Sequence, residues 1–135
     1  MQPRGLRNCN PGNIRLSKTI YLGEVVPSQD RAFKQFQSMA YGYRAMFVTL
    51  HSYYTKHQLR TIRQMISRWA PPGENNTAAY IRTVSLHALC GPDEPVDIMR
   101  REQMVLIVSA MSKVENGVPA NIEDVIAGWD LYIKK

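Results

Sequence analysis

The longest regular pattern of apolar residues in this chain lies between Ser38 and His57. Aromatic and aliphatic side chains recur there three or four residues apart, which places them on one face of a helix. Ser38 is a suitable N-cap, because its hydroxyl can accept a hydrogen bond from a free backbone N–H of the first turn. We therefore predict a long central helix. Its predicted buried face carries Tyr43, Met46, Phe47, Leu50 and Tyr54.

Four shorter helices are predicted downstream, each preceded by a residue whose side chain can cap the first turn. The clearest signal is a capping box, in which Thr61 bonds forward and Gln64 reaches back. Pro and Gly residues between these segments end the helices, since neither continues a helix well. The other predicted caps are Asn76 or Thr77, then Asp97, then Asn121.

Between Asn13 and Gln37, apolar residues lie among Thr and Tyr in a strand-like pattern that Gly23 and a turn at residues 27–30 interrupt. We predict a small sheet of two or three strands there. Five helices and one small sheet make an α+β fold that is predominantly α. A length of 135 residues suits one compact domain, so we expect residues 1–135 to form one unit.

A polar segment, Arg4–Arg15, precedes the predicted sheet. It contains three arginines, three asparagines and the pair Pro11-Gly12, with few aliphatic side chains. Proline presets φ and glycine permits positive φ, so an ordered loop is predicted. Asparagines in such a loop either satisfy nearby backbone groups or contact a ligand, and the pattern leaves both interpretations open.

The net charge of +6 conceals an asymmetry between the two halves of the chain. Residues 1–68 carry eleven Lys or Arg against two acids, giving +9, whereas residues 69–135 carry six against nine, giving −3. A basic half indicates a polyanionic partner, and anionic cell-wall polymer and nucleic acid both fit. No apolar run approaches the roughly 20 residues that cross a bilayer, and the N-terminus resembles no secretory signal, so we expect no membrane insertion.

The cysteines and histidines show no metal-binding or redox spacing, and we interpret Cys9 and Cys90 as free thiols. The three histidines are scattered along the chain without a His-x-x-x-His pair. We therefore expect neither a metal site nor a cofactor. The same observation disfavours cleavage of peptide cross-bridges, which normally uses zinc or a Cys–His nucleophile.

Three motifs, in order over about two thirds of the chain, resemble those of a family of phage-type lytic enzymes. The first is Arg-Gly-x-Arg-Asn-x-Asn-Pro-Gly-Asn-Ile-Arg, matched by residues 4–15. The second is a pair of phenylalanines, Phe33 and Phe36, ahead of Gly42-Tyr43-Arg44-Ala45. The third runs from Thr61 to Ile81 and contains Trp69-Ala70-Pro71-Pro72, Glu74-Asn75, Thr77 and Tyr80.

The resemblance implies a lysozyme-like fold, of the goose-type or lytic transglycosylase kind, that acts on bacterial peptidoglycan. It also implies kinship with the cell-wall-degrading enzyme of enveloped double-stranded RNA phages. Such an enzyme is made in the bacterial cytoplasm and acts at the cell wall, in some cases as part of a virion. Cys9 stands where these sequences commonly have asparagine, so a substrate contact by that asparagine would be lost here.

Glycosidic cleavage needs a carboxylic acid that stays protonated near neutral pH, which burial against apolar groups can achieve. Most acids of this chain are interpreted as helix caps, loop residues or, like Glu115, exposed helix positions. Glu24, in an apolar strand-like segment, is our first candidate for the general acid, and Glu74, in a rigid loop before a helix, is the second. Alternative roles stay open: Glu24 at a hairpin tip, Glu74 as a stabilising charge at a helix start.

Two groups of residues are expected to hold the sugar strand, one on each side of a groove. The polar segment supplies Arg7, Asn8, Asn10, Asn13 and Arg15. The opposite wall is expected to comprise Trp69, Asn75, Thr77 and Tyr80. Trp69 equally suits a core position, and Thr77 equally suits a helix cap.

The sequence thus favours a muramidase or lytic transglycosylase that works as a monomer on bacterial peptidoglycan. The alternatives are a non-catalytic cell-wall-binding or virion structural module, a murein endopeptidase, and a nucleic-acid-binding protein. Nucleic acid is disfavoured because Arg63 and Arg68 belong to no basic helix run or interleaved aromatic platform.

Overall fold

The structure is a computed structural model that describes residues 2–134. Over this range the fold is α+β and predominantly α, with a two-stranded antiparallel sheet near the N-terminus, as the sequence predicts. The helices are α1 (Arg4–Arg7), α2 (Met39–Lys56), α3 (Ile62–Trp69), α4 (Thr77–Ala88), α5 (Arg101–Asn116) and α6 (Ile122–Ile133). The strands are β1 (Glu24–Val25) and β2 (Gln35–Phe36).

Helix α2 lies at the centre of the core, where it packs along α6, while α4 packs along α5. The predicted apolar face of α2 is buried from Tyr43 to Leu50, and Tyr54 is half-buried. Phe47 contacts two aromatic rings of α6, with centroids 5.2 Å from Trp129 and 5.8 Å from Tyr132. The central helix therefore ties the first half of the chain to its last helix.

Most of the predicted helix starts are confirmed by side-chain capping bonds. These caps are Ser38, Thr61 with its capping box, Asn76 and Asn121. The prediction for Asp97 is wrong: α5 begins at Arg101, and Asp97 Oδ1 instead accepts from the backbone N–H of Met99 at 3.1 Å. Asp97 closes a turn ahead of the helix, because a short polar side chain can satisfy a turn as readily as a helix end.

The sheet is shorter than the strand-like pattern of residues 13–37 suggests. Glu24 pairs with Phe36 and Val25 with Gln35, and a separate bridge joins Arg15 to Phe33. Most of the remaining segment is irregular, and several of its aliphatic side chains are solvent-exposed rather than packed in the core. The exposed fractions are 61% for Ile20, 58% for Leu22 and 63% for Val26.

Polar contacts hold this irregular segment in place. The ammonium group of Lys34 donates to the backbone oxygen of Thr19 at 2.7 Å and to that of Ser17 at 3.4 Å. The backbone N–H of Lys34 donates to the oxygen of Ile14 at 2.9 Å. One fully buried lysine thus replaces the longer strand ladder that the sequence pattern suggests.

Candidate functional site

A groove of about 480 Å³ lies between the polar segment Arg4–Arg15 and the turn that joins α3 to α4. Its lining combines aromatic rings with amide, guanidinium and carboxylate groups. The residues whose chemistry matters most are Asn13, Arg15, Phe33, Tyr53, Trp69 and Glu115. Because they come from the polar segment, the sheet region, α2, α3 and α5, the groove depends on the packing of the whole fold.

The carboxylate of Glu115 accepts hydrogen bonds from three different parts of the chain. Its Oε1 accepts from Asn13 Nδ2 at 3.1 Å. Its Oε2 accepts from the Tyr80 hydroxyl at 2.9 Å and from Trp69 Nε1 at 3.3 Å. A carboxylate oxygen accepts about two hydrogen bonds, so Oε2 is saturated while Oε1 retains room for a ligand.

Glu115 points inward because it continues the buried stripe of α5. Met104, Val108 and Met111 are buried on one face, and a further step of four residues leads to Glu115. Glu115 lies in the last turn of α5, where the helix dipole disfavours an acid by roughly 0.3–1 kcal/mol. The three hydrogen-bond donors offset that cost. An acid in the last turn of a helix departs from local preference, and such departures are typical of functional sites.

Tyr80 is buried on α4 and serves as a fixed hydrogen-bond donor to Glu115. Burial, together with the nearby Glu115 carboxylate, raises the pKa of the Tyr80 hydroxyl above its usual range. The raised pKa favours the protonated hydroxyl, which donates to Oε2.

Aromatic rings and cations line the walls of the groove. Tyr53 and Trp69 pack edge to face, with ring centroids 6.4 Å apart. The Arg15 guanidinium lies 5.2 Å from the centroid of Phe33, and that of Arg68 lies 5.2 Å from the centroid of Tyr53. Aromatic faces suit the apolar faces of sugar rings, and the guanidinium of Arg15 in the lining suits anionic or hydroxyl-rich substituents.

Glu24, the first sequence candidate for the general acid, lies outside the lining of this groove. Its carboxylate forms an ion pair with Lys34 Nζ at 3.0 Å, and the side chains are 3% and 0% exposed. A carboxyl group that is buried against Lys34 and lies outside the groove lining has no path to a substrate in the groove. The interpretation of Glu24 as proton donor is therefore corrected: it neutralises Lys34.

Glu74, the second candidate, lies at the rim of the groove together with Asn75. Both side chains are solvent-exposed, and Asn75 Nδ2 donates to the backbone oxygen of Pro71 at 3.1 Å. Glu74 thus lies in water, without the apolar surroundings that general acid chemistry needs.

Two predicted sugar-binding asparagines are structural. Asn10 is fully buried, donates to the backbone oxygens of Ile14 at 2.9 Å and Lys34 at 3.0 Å, and accepts from the N–H of Ile14 at 3.0 Å. Asn8 is buried and donates to Asp30 Oδ2 at 3.1 Å. The prediction that they bind substrate is wrong, because both residues are buried outside the groove lining and their side-chain nitrogens donate within the protein.

Arg7 and Thr77 also lie away from the candidate groove. Arg7 is exposed on α1 and lines a different cavity, beside Cys9 and Asp124. Thr77 is buried, and its hydroxyl donates to the backbone oxygen of Ala70 at 2.5 Å. Thr77 thus fixes the turn between α3 and α4 and does not bind substrate.

Asn13, Arg15, Trp69, Asn75 and Tyr80 are brought together around the groove or its carboxylate. The prediction that Glu115 is an exposed helix position is wrong, since it is half-buried at the centre of this group. The sequence does contain a signal for its burial, because Glu115 lies on the apolar face of α5.

Other features of the described residues complete the picture. Cys9 and Cys90 are free thiols, and burial raises the pKa of each. Among residues 2–134, no three His, Cys, Asp or Glu side chains gather as a metal ion would require. No helix in this range combines the length and apolarity needed to cross a membrane.

The fold and the groove define a class: a predominantly helical α+β protein with an aromatic-walled groove built around one carboxylate that three donors orient. The chain is 33% identical to Protein P5 of Pseudoalteromonas phage PM2, in an alignment that covers 96% of this chain and 82% of that protein. This chain therefore belongs to the same family as that phage protein. No family model matches the sequence.

Proposed function

We propose that this protein cleaves the glycan strand of bacterial peptidoglycan, as a muramidase or lytic transglycosylase, with Glu115 as the proton donor. The observation that carries the proposal is the Glu115 carboxylate, half-buried in the groove and oriented by Asn13, Trp69 and Tyr80. General acid catalysis requires a carboxyl group at a fixed position beside the bond to be broken. Glu115 meets that requirement better than Glu24 or Glu74.

The proposed chemistry needs one carboxyl group and no electron transfer. Protonated Glu115 gives its proton to the glycosidic oxygen, and the bond from that oxygen to the anomeric carbon breaks. The Glu115 carboxylate then removes a proton from water, or from a hydroxyl of the same sugar that closes an anhydro ring. Either route returns Glu115 to its acid form.

The walls of the groove supply the proposed contacts to the sugar strand. Trp69 and Tyr53 offer ring faces, Asn13 and Asn75 offer amides, and Arg15 offers a cation for a carboxylate of the stem peptide. The motif resemblance to phage-type lytic enzymes supports the same substrate, and a phage relative fits a phage origin. The proposed site of action is the cell wall, reached from the host cytoplasm or from a virion.

The decisive experiment incubates purified murein sacculi with the wild-type protein and with Glu115→Gln. The wild type should clear the suspension and release fragments with anhydro or reducing sugar ends, identified by mass spectrometry. Glu115→Gln should lose about a hundredfold or more of this activity, because its amide cannot donate an acidic proton. Glu74→Gln, at the groove rim, is the matched control and should keep most of the murein-cleaving activity. Circular dichroism checks that each variant folds.

A second candidate function is a cell-wall-binding or virion structural module that does not cleave. Membership in the family of a phage protein favours it over the remaining alternatives. In that case the protein would sediment with sacculi while turbidity stays constant. Free amino groups among the products would indicate an endopeptidase, and a salt-dependent gel shift would indicate nucleic-acid binding. Each of these results, without new sugar ends, would contradict glycan cleavage.

A further inference from the structure

The side-chain amide of Asn13 is satisfied on one side only. Its Nδ2 donates to Glu115 Oε1 at 3.1 Å, with a longer contact of 3.5 Å to the backbone oxygen of Glu115. Its Oδ1 is buried, and no donor among the described residues reaches it. Asn116 is similar: its Nδ2 donates to the oxygens of Pro11 and Ser112, while its Oδ1 is buried and receives no hydrogen bond from residues 2–134.

These two oxygens meet at the same place, next to Gly5. A Cβ atom built on Gly5 would lie 2.8 Å from Asn13 Oδ1, 2.8 Å from the backbone oxygen of Asn10, and closer still to Asn116 Oδ1. Asn13 Oδ1 and Asn116 Oδ1 therefore lie in one small volume, beside an Asn10 oxygen that already accepts from the backbone N–H of Asn13 at 3.0 Å. Buried polar groups are normally paired, so this volume calls for an N–H or O–H group.

Among the residues beside Gly5, Asn13 is best able to supply an N–H donor to the unpaired oxygen. The amide of Asn116 already has two carbonyl partners for its nitrogen, and the Asn10 oxygen belongs to the backbone. A half-turn of the Asn13 amide would direct Nδ2 at the acceptors beside Gly5 and Oδ1 at Glu115. Two facing acceptors repel while Glu115 is a carboxylate, but a protonated carboxyl group can donate to Oδ1.

We propose that Asn13 is a positioning residue whose amide reverses when Glu115 gains or loses its proton. With Glu115 ionised, Asn13 donates to Oε1. With Glu115 protonated on Oε1, the carboxyl group donates to Asn13 Oδ1, and Nδ2 turns to the acceptors beside Gly5. The proton lies on Oε1 because Oε2 already accepts from Tyr80 and Trp69.

The inference deepens the proposed function, since it rests on Glu115 as proton donor. Before transfer, Asn13 Oδ1 accepts a hydrogen bond from the protonated carboxyl group and so fixes the acidic proton on Oε1. Once the proton has passed to the glycosidic oxygen, the reversed amide donates to the new carboxylate. The same residue thus stabilises Glu115 on both sides of the proton-transfer step: Glu115 loses one proton, the glycosidic oxygen gains it, and no other group of the protein gains or loses one.

The titratable and charged groups around Glu115 come from several elements. Tyr80 of α4 bonds Oε2, and Tyr53 of α2 lines the same groove. Arg15 of the polar segment and Glu74 of the α3–α4 turn carry the other charges in the lining. Glu74 carries the second carboxyl group in the lining, so its removal is the necessary control.

The test is an NMR titration of the isotope-labelled full chain between about pH 8 and pH 3, the range in which glutamate side chains titrate. The Glu115 carboxyl carbon reports protonation. The nuclear Overhauser effect between the Asn13 amide protons and the Gly5 α-protons reports the amide orientation. This effect should strengthen several-fold as pH falls, with the same midpoint as the carboxyl shift.

Two variants make the titration specific. Glu115→Gln should abolish the pH dependence of the Asn13 signals, whereas Glu74→Gln should leave it intact. An Overhauser effect that stays constant while Glu115 titrates, or a change that persists in Glu115→Gln, would overturn the inference. The measurement needs no catalysis, so failure to cleave murein would refute the proposed function without touching this result.

An activity readout follows if murein is cleaved. Asn13→Leu keeps the size of the side chain and removes both amide groups, so kcat should fall by about tenfold or more, as for loss of a hydrogen bond to a charged group. KM should change less, because Asn13 acts through Glu115. An unchanged kcat would also overturn the inference.

Discussion

At the scale of single residues, the Tyr80 hydroxyl makes the shortest of the three hydrogen bonds to Glu115, at 2.9 Å. We predict that Tyr80→Phe lowers murein cleavage about 10- to 100-fold, since a hydrogen bond to a charged group contributes about 1.5–3 kcal/mol. Tyr54→Phe, on α2 outside the groove lining, is the control and should stay near wild type. The measurement is the rate of fragment release from sacculi. Equal rates for the two variants would contradict the role of Tyr80.

The buried pair of Glu24 and Lys34 yields a stability prediction. Lys34→Met leaves Glu24 as an unpaired buried charge and should lower the free energy of unfolding by about 3–5 kcal/mol. The double variant with Glu24→Leu should lose less, because it removes both charges. Urea unfolding followed by circular dichroism measures both. A double variant less stable than Lys34→Met would contradict the pairing.

Asp30 yields a pH prediction. The Arg4 guanidinium, 2.6 Å from its Oδ2, and the N–H groups of Ala32 and Phe33 hold the pKa of Asp30 well below its usual range. Asp30 therefore contributes stability above about pH 4, where the unfolded state is also ionised. Below that pH the unfolded state takes up a proton first, so this stability is lost as pH falls.

Thermal unfolding between about pH 6 and pH 2.5, a range that spans the ordinary aspartate pKa, tests whether the stability contributed by Asp30 falls as pH falls. Asp30→Asn should be less stable than wild type at the upper end, and the difference should shrink as pH falls. Asp130→Asn, at an exposed position of α6, is the matched control. If the difference in stability between wild type and Asp30→Asn instead grows as pH falls, the predicted direction is wrong.

At the scale of elements, the contact of α2 with α6 depends on Gly128. A Cβ there would lie 2.5 Å from Tyr43 Cβ, 2.9 Å from the backbone nitrogen of Arg44 and 3.0 Å from the oxygen of Ala40. Since backbone cannot yield cheaply, Gly128→Ala should cost about 3 kcal/mol or more. Gly117→Ala has open space around it but a positive φ of 73°, so it should cost only about 1–2 kcal/mol.

Urea unfolding of the two alanine variants compares two costs in free energy of unfolding: steric crowding in Gly128→Ala and backbone strain in Gly117→Ala. The larger loss should belong to Gly128→Ala, although helical φ angles favour alanine there. Equal losses would mean that α2 and α6 can move apart without much cost, against the close packing seen here.

The elements that the sequence predicts well depend on local signals. Ser38, Thr61 and Asn121 cap helices through atoms three residues away, so spacing alone identifies them. Asp97 shows the limit of such signals, because a turn competes for the same side chain. The strand-like pattern over residues 13–37 also misleads, since Lys34, a buried charge, organises that segment through loop carbonyls.

The sequence motifs identify the aromatic and amide residues that line the candidate groove. They do not identify residues whose position depends on contacts far apart in the sequence. Glu115 contacts residues 35, 46 and 102 positions away, and no local pattern encodes those separations. The same applies to Asn8 and Asn10, whose amides could equally have faced a ligand. Burial decides between the two roles, and burial is set by the whole fold.

At the scale of the whole molecule, the groove joins the two halves of the chain that differ in charge. Asn13 and Arg15 belong to the basic half, and Glu115 belongs to the acidic half. Asn116 adds a second link, since its amide donates to the oxygen of Pro11 across 105 positions. The candidate site therefore exists only when the N-terminal segment and the end of α5 are docked together.

Docking of this kind predicts one cooperative unfolding transition for the whole chain. The two tryptophans report on different regions: Trp69 lines the groove, and Trp129 lies in the core between α2 and α6. Variants that keep one tryptophan each, Trp129→Phe and Trp69→Phe, allow the two regions to be followed separately by fluorescence in urea. In each variant the fluorescence midpoint should coincide with that of far-ultraviolet circular dichroism, because α2 both lines the groove through Tyr53 and packs along α6. A Trp69 signal that changes at lower urea than the helical signal would show that the groove opens as an independent unit.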